Sequence, residues 1–384
     1  MAENNKNLKV VFAGGGTGGH IYPGIAIADE LKAIAIEKNI QLQIYWLGNK
    51  TGMDSSIIEH DGKSIDGFYP VSSGKLRRYL SFQNFIDLFK IIAGFFDSVR
   101  ILKKLKPDFL FSKGGFVSVC PCKAAAFLHI PYFTHECDFT PGLATRLNSS
   151  KAKNILITYK ETASLLKDSS KCIVTGNPVR PVFYEPKSDL GKSFLQVDKS
   201  SSKPILLVLG GSLGALQINN LVLENLEWLK ERFIVVHQTG AAFAKENQYI
   251  FFPPYADEAY KPYPFIHEEM PYVLQCADIV VSRAGANSLW ECAVCNKPMI
   301  LIPLAGKGTR GDQVDNARYF ENAGAAYVLA GSNATSENLK EKLALLLDKE
   351  VRASFSESCK NICGSEVPAR KIASLILENI IKEV

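Results

Sequence analysis

Two glycine-rich loops, Gly14-Gly15-Gly16-Thr17-Gly18-Gly19-His20 and Gly210-Gly211-Ser212-Leu213-Gly214-Ala215, stand in opposite halves of this 384-residue chain. Each follows a short apolar run that reads as a buried parallel strand, Leu8–Ala13 and Ile205–Leu209, and each precedes an amphipathic helical stretch. Glycine lets the backbone turn sharply there and approach a ligand. The helix N-terminus that follows aims its N–H groups and the positive end of its dipole at an anion. The pattern predicts two Rossmann-like domains facing one phosphate-bearing ligand.

The chain is longer than one core usually serves, and 47% hydrophobic against 22% charged residues is a globular composition. Strand, loop and helix repeat along it. In the first half Leu8–Ala13, Gln41–Leu47, Asp108–Ser112, Tyr132–Thr134, Asn154–Thr158 and Ile173–Thr175 read as strands. In the second half the strands are Ile205–Leu209, Phe233–Gln238, Tyr263–Ile266, Asp278–Ser282, Met299–Pro303 and Ala326–Leu329. The tyrosine- and proline-rich segment from Phe251 to Pro264 reads as an ordered surface connection. Such alternation means parallel sheets with right-handed crossovers. A polar stretch at 187–203 separates an N-terminal domain, 1–186, from a C-terminal one, 204–365. The end, 366–384, reads as an amphipathic helix packing back on the first domain.

A net charge of +5 without a nucleic-acid-binding signature excludes nucleic acid as the expected partner. The nine cysteines include the close pairs Cys120/Cys122, Cys292/Cys295 and Cys359/Cys363. None is joined to a histidine at zinc spacing, so the expectation is reduced buried thiols and no metal. The start, Met1 to Lys9, is polar and not signal-like, and no apolar run is long enough to span a bilayer.

Three common readings of a glycine loop fail on this sequence. Gly14-x-Gly16-x-x-Gly19 matches the dinucleotide fingerprint, but the second strand ends Leu47-Gly48-Asn49 without the carboxylate that would hold an adenosine ribose. Neither loop continues into the Gly-Lys-Ser/Thr ending of a P-loop. No Asp-x-Asp pair is present to clamp a metal-bound nucleotide sugar. Charge on a diphosphate must then be met by backbone N–H groups, helix dipoles and arginine. Arg180, in Gly176-Asn177-Pro178-Val179-Arg180, has the planar fork for phosphate or sugar oxygens, or is a surface ion pair. Arg283-Ala284-Gly285-Ala286-Asn287-Ser288-Leu289-Trp290-Glu291 opens a helix after a strand as a second small-residue anion site. Glu291 either accepts from a ribose diol or is a solvated helix residue.

Seven strings occur together and in order: Gly14 to Gly24 (GGGTGGHIYPG), Ser112 to Ser118 (SKGGFVS), His135-Glu136 with Pro141-Gly142-Leu143, Gly176 to Arg180, Gly210 to Ala215, Arg283 to Glu291, and Asp312 to Ala317 (DQVDNA). In this the chain resembles the MurG family of N-acetylglucosaminyltransferases over almost its whole length. That resemblance implies an α/β protein of GT-B type, two Rossmann-like parallel-sheet domains facing a cleft, with the C-terminal helix crossing back to the first domain.

The activity it implies is inverting transfer of N-acetylglucosamine from UDP-N-acetylglucosamine to undecaprenyl-diphospho-N-acetylmuramoyl-pentapeptide, lipid I, giving lipid II in peptidoglycan synthesis. The first domain would bind the acceptor and face the membrane, and the second would bind the donor. No cofactor is implied, and the place is the cytoplasmic face of the cell membrane, peripherally bound, with other cell-wall synthesis proteins as further partners. On the same resemblance Thr17, Gly18 and Gly19 lie by the sugar and diphosphate, and Arg180 and Ser212 contact the donor. Ala286, Asn287, Ser288 and Glu291 hold diphosphate and ribose, Gln313 binds the sugar hydroxyls, and Ile266 lies beside the uracil. Gly114 and Gly115 are donor or acceptor contacts. Cys137-Asp138 stands where many relatives have Gln-Asn, and Asp312 where some have glutamine. An ionised Asp138 cannot donate as an amide would. Its donor contact is therefore open.

Transfer to a sugar hydroxyl needs a base near the acceptor and positive potential at the diphosphate. His20, closing the first glycine loop, is the first choice, with Glu136 second. The alternative for His20 is a neutral ring that caps the helix or bonds the loop. His135 reads as structural. The Phe- and Lys-rich stretch Lys75–Lys106 has two readings. Its period puts Phe85, Leu88, Phe89, Ile92, Phe96 and Val99 on one packed face, while Phe82 and Phe95 off that face, with flanking cations, suit a helix on anionic lipid. Two rivals remain: a GT-B transferase with a diacylglycerol-type acceptor, and a non-catalytic nucleotide-sugar-binding protein.

Overall fold

The computed structural model describes residues 7–74, 82–198, 201–211, 214–306 and 309–383, without the side chains of 82–86 and 383. Lys75, Arg77, Arg78 and Ser212 therefore lie outside the described residues, as do the side chains of Phe82 and Phe85. The chain forms two compact units, one of Met1–Arg180 with Glu366–Val384, the other of Pro181–Ser365.

The first unit carries seven strands: β1 (Leu8–Gly14), β2 (Leu42–Asn49), β3 (Gly67–Val71), β4 (Phe109–Gly114), β5 (Tyr132–Glu136), β6 (Asn154–Ile157) and β7 (Cys172–Val174). They form one sheet in the order β3-β2-β1-β4-β5-β6-β7, every pair parallel. Helices cover both faces, which is why its central strands are apolar without alternation. Along β1, Val10 and Phe12 face one layer and Val11 and Ala13 the other. The first layer holds α1 (Gly18–Glu37) and the terminal helix Pro368–Glu383, whose Ile372, Ala373, Ile376 and Ile380 are buried in that core. Arg370 ties the terminal helix to Glu30 and Glu37. The opposite layer holds α3 (Phe82–Leu105) and α4 (Val119–Phe127), which follow the short α2 (Asp54–Asp61) in the chain. Strand β3 was not among the sequence expectations.

The second unit carries β8 (Ile205–Leu209), β9 (Ile234–Gln238), β10 (Tyr260–Tyr263), β11 (Ile279–Ser282), β12 (Met299–Leu301) and β13 (Ala326–Val328). Its order is β10-β9-β8-β11-β12-β13, again all parallel. The strand expected at Tyr263–Ile266 lies three residues earlier, within the segment read as a surface connection. It is an edge strand, the one place where Pro262 costs no ladder bond.

The expected linker at 187–203 is also revised. Residues Pro181 onward belong to the second unit, and Ser188–Phe194 is a helix packed on Met270–Cys276. Gly191 permits the contact, since a Cβ there would lie 2.1 Å from the Tyr272 carbonyl oxygen.

Beneath the second sheet His237 is fully buried between Tyr260 and Asn219. Asn219 Nδ2 donates to the Thr239 carbonyl, so its Oδ1 accepts from His237 Nε2–H, and His237 Nδ1 accepts the Tyr260 O–H. Burial lowers this histidine's pKa to about 3. The ordinary value of about 6.5 holds in the unfolded chain, so below it the unfolded state binds a proton that the folded state refuses. Stability is therefore lost as pH falls from about 6.5 toward 3. Between pH 7 and pH 5 this group costs about 2 kcal/mol. Denaturant unfolding at the two pH values should show that loss in the parent and a smaller one in His237→Gln; equal losses would contradict the assignment.

Candidate active site

In an open parallel sheet the binding crevice lies at the strands' carboxyl ends, where the strand order reverses. In the first unit that point falls between β1 and β4, whose ends are Gly14 and Gly114. The loops that the sequence singled out, Gly14–His20 and Gly114–Gly115, leave the sheet side by side there.

The first loop is held by a carboxylate that the sequence reading did not find. Asp54, the first residue of α2, is fully buried. It accepts the Gly16 N–H at 2.9 and 3.1 Å, one bond to each oxygen, and the Asn49 N–H at 2.7 Å. A side chain on Gly15 would put its Cβ 1.7 Å from Asp54 Oδ2. One N–H of this loop, that of Gly16, thus meets an internal anion. The signal was an acidic residue after β2, displaced from the strand end to the start of the next helix.

His20 sits in the first turn of α1, half-buried, with Nδ1 2.8 Å from Thr17 Oγ1. Thr17 is at the N-cap position but its side chain makes no cap; it is spent on the imidazole instead. The ring lies on the second loop. A Cβ on Gly115, whose φ is 75°, would come 3.1 Å from its Cδ2 and Cγ, and one on Gly114 would come 3.9 Å from its Cδ2. Gly114 and Gly115 therefore act as the bed of the histidine ring.

Glu136, the second candidate base, is buried and both its oxygens are engaged. Oε1 accepts from Asp138 N at 3.0 Å and Oε2 from Gly142 N at 2.9 Å, so the carboxylate builds the turn into helix Leu143–Ser149. Burial, with the charge of Asp138, pushes its pKa up. Glu136, Cys137 and Asp138 bring ligand atoms within 4.8 Å of one another, but a cation there would compete with the turn's own N–H donors. His135 donates from Nε2 to the Gly176 carbonyl at 3.0 Å, and burial holds its pKa well below the ordinary value. Arg180 belongs to the first unit, its guanidinium 5.0 Å from the ring centre of Tyr22 on α1; Tyr22 also packs beneath Gly18.

The second unit repeats the plan. Its strand order reverses between β8 and β11, and the loops that leave them are Gly210–Ala215 and Arg283–Gly285. Gly211, at φ 80°, and Gly285 both face open space, with nothing within 4 Å of a built Cβ. Helix Ala286–Val294 begins directly after Gly285, with no side-chain cap and no acidic residue in its first turn. Its N-terminus bears Ala286, Asn287 and Ser288. Glu291 is half-buried on the same helix. Gln313 Oε1 accepts from Leu304 N at 2.9 Å, and Asp312 is paired with Arg310 at 2.7 Å. Ile266 is buried and its N–H is engaged, donating to Gln238 Oε1 at 2.9 Å.

Helix α3 inverts the face expected to pack. Leu88, Phe89, Ile92 and Phe96 are 48–64% exposed, with Phe127 of α4 beside them at 62%. Phe95, expected to face lipid, is half-buried and stands edge-on to Phe96 and Phe127 at 5.6 and 5.9 Å. The packed stripe is instead Gly94, Ser98, Leu102 and Leu105. The reason is close approach, since a Cβ on Gly94 would lie 1.9 Å from the Ser72 carbonyl oxygen. Lys90, Arg100, Lys103 and Lys104 are exposed on the same helix. Among the described residues, no helix is long and apolar enough to cross a membrane. The nine cysteines are free thiols.

Two Rossmann-like parallel-sheet units, each with a glycine loop at its switch point, are the architecture of the GT-B fold. Residues 10–157 match the glycosyltransferase family 28 N-terminal domain and 205–376 the glycosyltransferase family 28 C-terminal domain. The chain is 48% identical, over 97% of both sequences, to the UDP-N-acetylglucosamine--N-acetylmuramyl-(pentapeptide) pyrophosphoryl-undecaprenol N-acetylglucosamine transferase of Treponema denticola. It is 36% identical to the protein of the same name from Clostridium tetani, over 92% of this chain and 93% of that one. Among solved structures, Acinetobacter baumannii MurG shares the fold with a TM-score of 0.72 at 24% identity, covering 97% of this chain and 99% of that one. The chain belongs to glycosyltransferase family 28 and, within it, to the MurG family. Fold alone would not have decided this. A UDP-GlcNAc 2-epimerase from Neisseria meningitidis bound to UDP-GlcNAc also superposes, with a TM-score of 0.64 at 16% identity over 98% of this chain and 99% of that one.

Proposed function

We propose that this chain transfers N-acetylglucosamine from UDP-N-acetylglucosamine to undecaprenyl-diphospho-N-acetylmuramoyl-pentapeptide with inversion, forming lipid II. Membership of the MurG family carries the reading, and the Thr17–His20 pair at the first unit's switch point supplies a chemistry for it. With Nδ1–H donated to Thr17 Oγ1, His20 Nε2 bears the lone pair. It takes the proton of the acceptor hydroxyl as that oxygen bonds to the anomeric carbon, and the bond to the UDP oxygen breaks on the opposite face. The N-terminus of helix Ala286–Val294 stabilises the departing diphosphate, and Glu291 accepts from the ribose. Arg180 adds a guanidinium to the donor's oxygens. Incubation with both substrates should yield the lipid-linked disaccharide; no product in a folded, UDP-binding preparation would refute the reading.

The donor roles have their own measurement. Glu291→Ala and Arg180→Ala should each weaken UDP-N-acetylglucosamine binding by ~1–3 kcal/mol, the value of a hydrogen bond to a charged group. Calorimetry giving parental affinity for both would remove those contacts.

The acceptor is tethered to lipid, and we assign the protein to the cytoplasmic face of the cell membrane, bound peripherally. The exposed Leu88, Phe89, Ile92, Phe96 and Phe127 beside Lys90, Arg100 and Lys103 support a surface that lies on anionic lipid. Replacing Phe89, Phe96 and Phe127 with serine should reduce sedimentation with anionic vesicles at least several-fold, and salt should weaken the remainder. Equal sedimentation of a folded variant would count against the patch.

A further inference from the structure

Lys113 is the penultimate residue of β4, and its side chain is 1% exposed. Among the described residues its Nζ has no hydrogen-bond partner. An ammonium removed from water without a partner destabilises a fold, and such lysines are rare. Lys113 Cβ lies 3.4 Å from where a Cβ on Gly14 would be, so the side chain starts beside the glycine that opens the first loop. On the neighbouring strand His135 is neutral, its Nδ1 also without a partner, and the lysine's charge helps to keep it so. The buried carboxylates of the adjoining loops have partners of their own, Asp54 the Gly16 and Asn49 N–H groups and Glu136 the turn at 138–142. The glycine loop thus has a buried negative charge under Gly16 and a buried positive one beside Gly14.

We propose that Lys113 is a positioning residue for the diphosphate of the acceptor, its charge acting through the Gly14 and Gly114–Gly115 backbone on a phosphate seated above them. This rests on the function proposed above and deepens it by assigning the anionic end of the acceptor to the β4 side of the loop, away from Asp54. At several ångströms through low-dielectric protein, one unit charge is worth roughly a tenfold change in affinity or more. The same residue is a burden when the site is empty, because an apolar side chain of its shape would pack without the desolvation penalty. Function and stability therefore oppose each other at this position.

The experiment is Lys113→Met in the full chain. Expected are a higher Tm, an unchanged KM for UDP-N-acetylglucosamine, little change in kcat, and a KM for the lipid-linked acceptor raised ~10-fold or more. Inorganic pyrophosphate, competing with acceptor, should inhibit the parent more strongly than the variant by a similar factor. Should the parent form no disaccharide, the functional reading fails by itself; calorimetric binding of pyrophosphate to parent and variant still tests Lys113. A change in donor KM alone would assign the charge to the donor and overturn the proposal. Unchanged acceptor KM and pyrophosphate affinity would overturn it too, whether Tm rises or falls. If the methionine variant does not fold, Lys113→Gln takes its place with the same expected and opposing results.

Discussion

His20→Ala is expected to fold, to keep its affinity for UDP-N-acetylglucosamine and to turn over about 10²–10⁴ times more slowly, the range for loss of a positioned general base. The geometry separates this from a structural role. The imidazole meets Thr17 through Nδ1 and rests on Gly114–Gly115, so its removal leaves a small space between two loops and no buried charge without a partner. A mere loop bond would cost stability of order 1 kcal/mol and leave the rate alone. Thr17→Val provides the second arm. It removes the oxygen that selects the tautomer with Nε2 as base, so kcat should fall by a smaller factor while KM for the donor stays. A folded His20→Ala protein with near-parental turnover at saturating substrates would refute the assignment. Glu136 would not simply take its place, because both its oxygens already hold the 138–142 turn.

Much of this arrangement was legible in the sequence, and the reasons are local. The central strands are short apolar runs between a helix end and a glycine loop, so β1, β4, β8 and β11 are found within a residue or two of where hydrophobicity puts them. Strand β3, Gly67-Phe68-Tyr69-Pro70-Val71, is an edge strand whose residues are mostly half-buried, and it has no apolar run to announce it. Composition misled at 187–203, where a polar helix docks through one glycine, and on α3, where size argued for packing and close approach decided otherwise. Gly94 and Ser98 win the core because small residues let the helix reach Ser72, which leaves Phe89 and Phe96 outside. Spacing could show neither effect, since each depends on what a distant segment places opposite. The same holds for the site. The loops declared themselves, whereas the partners of Asp54 and the isolation of Lys113 depend on residues far away in sequence.

Asp54→Asn should show how far the first loop depends on such a partner, and its expected effect on stability is the largest of those considered. The substitution preserves volume and removes a charge, yet all three bonds that the carboxylate makes are from N–H donors. An amide offers one oxygen. With that oxygen in the Oδ2 place both N–H groups keep an acceptor, but the NH₂ in the Oδ1 place then faces the Gly16 N–H, so one bond is lost and two donors meet. Bonds to a charged acceptor are worth ~1.5–3 kcal/mol each, roughly twice neutral ones, so losing one and weakening the other two gives an expected loss of about 3–5 kcal/mol. For a unit of this size that lowers Tm by roughly 6–20 °C. Turnover should fall as well, even where the protein is folded, because Gly16 is joined to Thr17 and through it to His20. Misplacement of a catalytic group by ~1 Å can cost 10²-fold. Calorimetry and an assay well below the lowered Tm separate the two effects. If Tm and turnover both remained parental, the Gly16 and Asn49 N–H groups would have to be satisfied without the carboxylate, and the loop would owe its shape to its glycines alone.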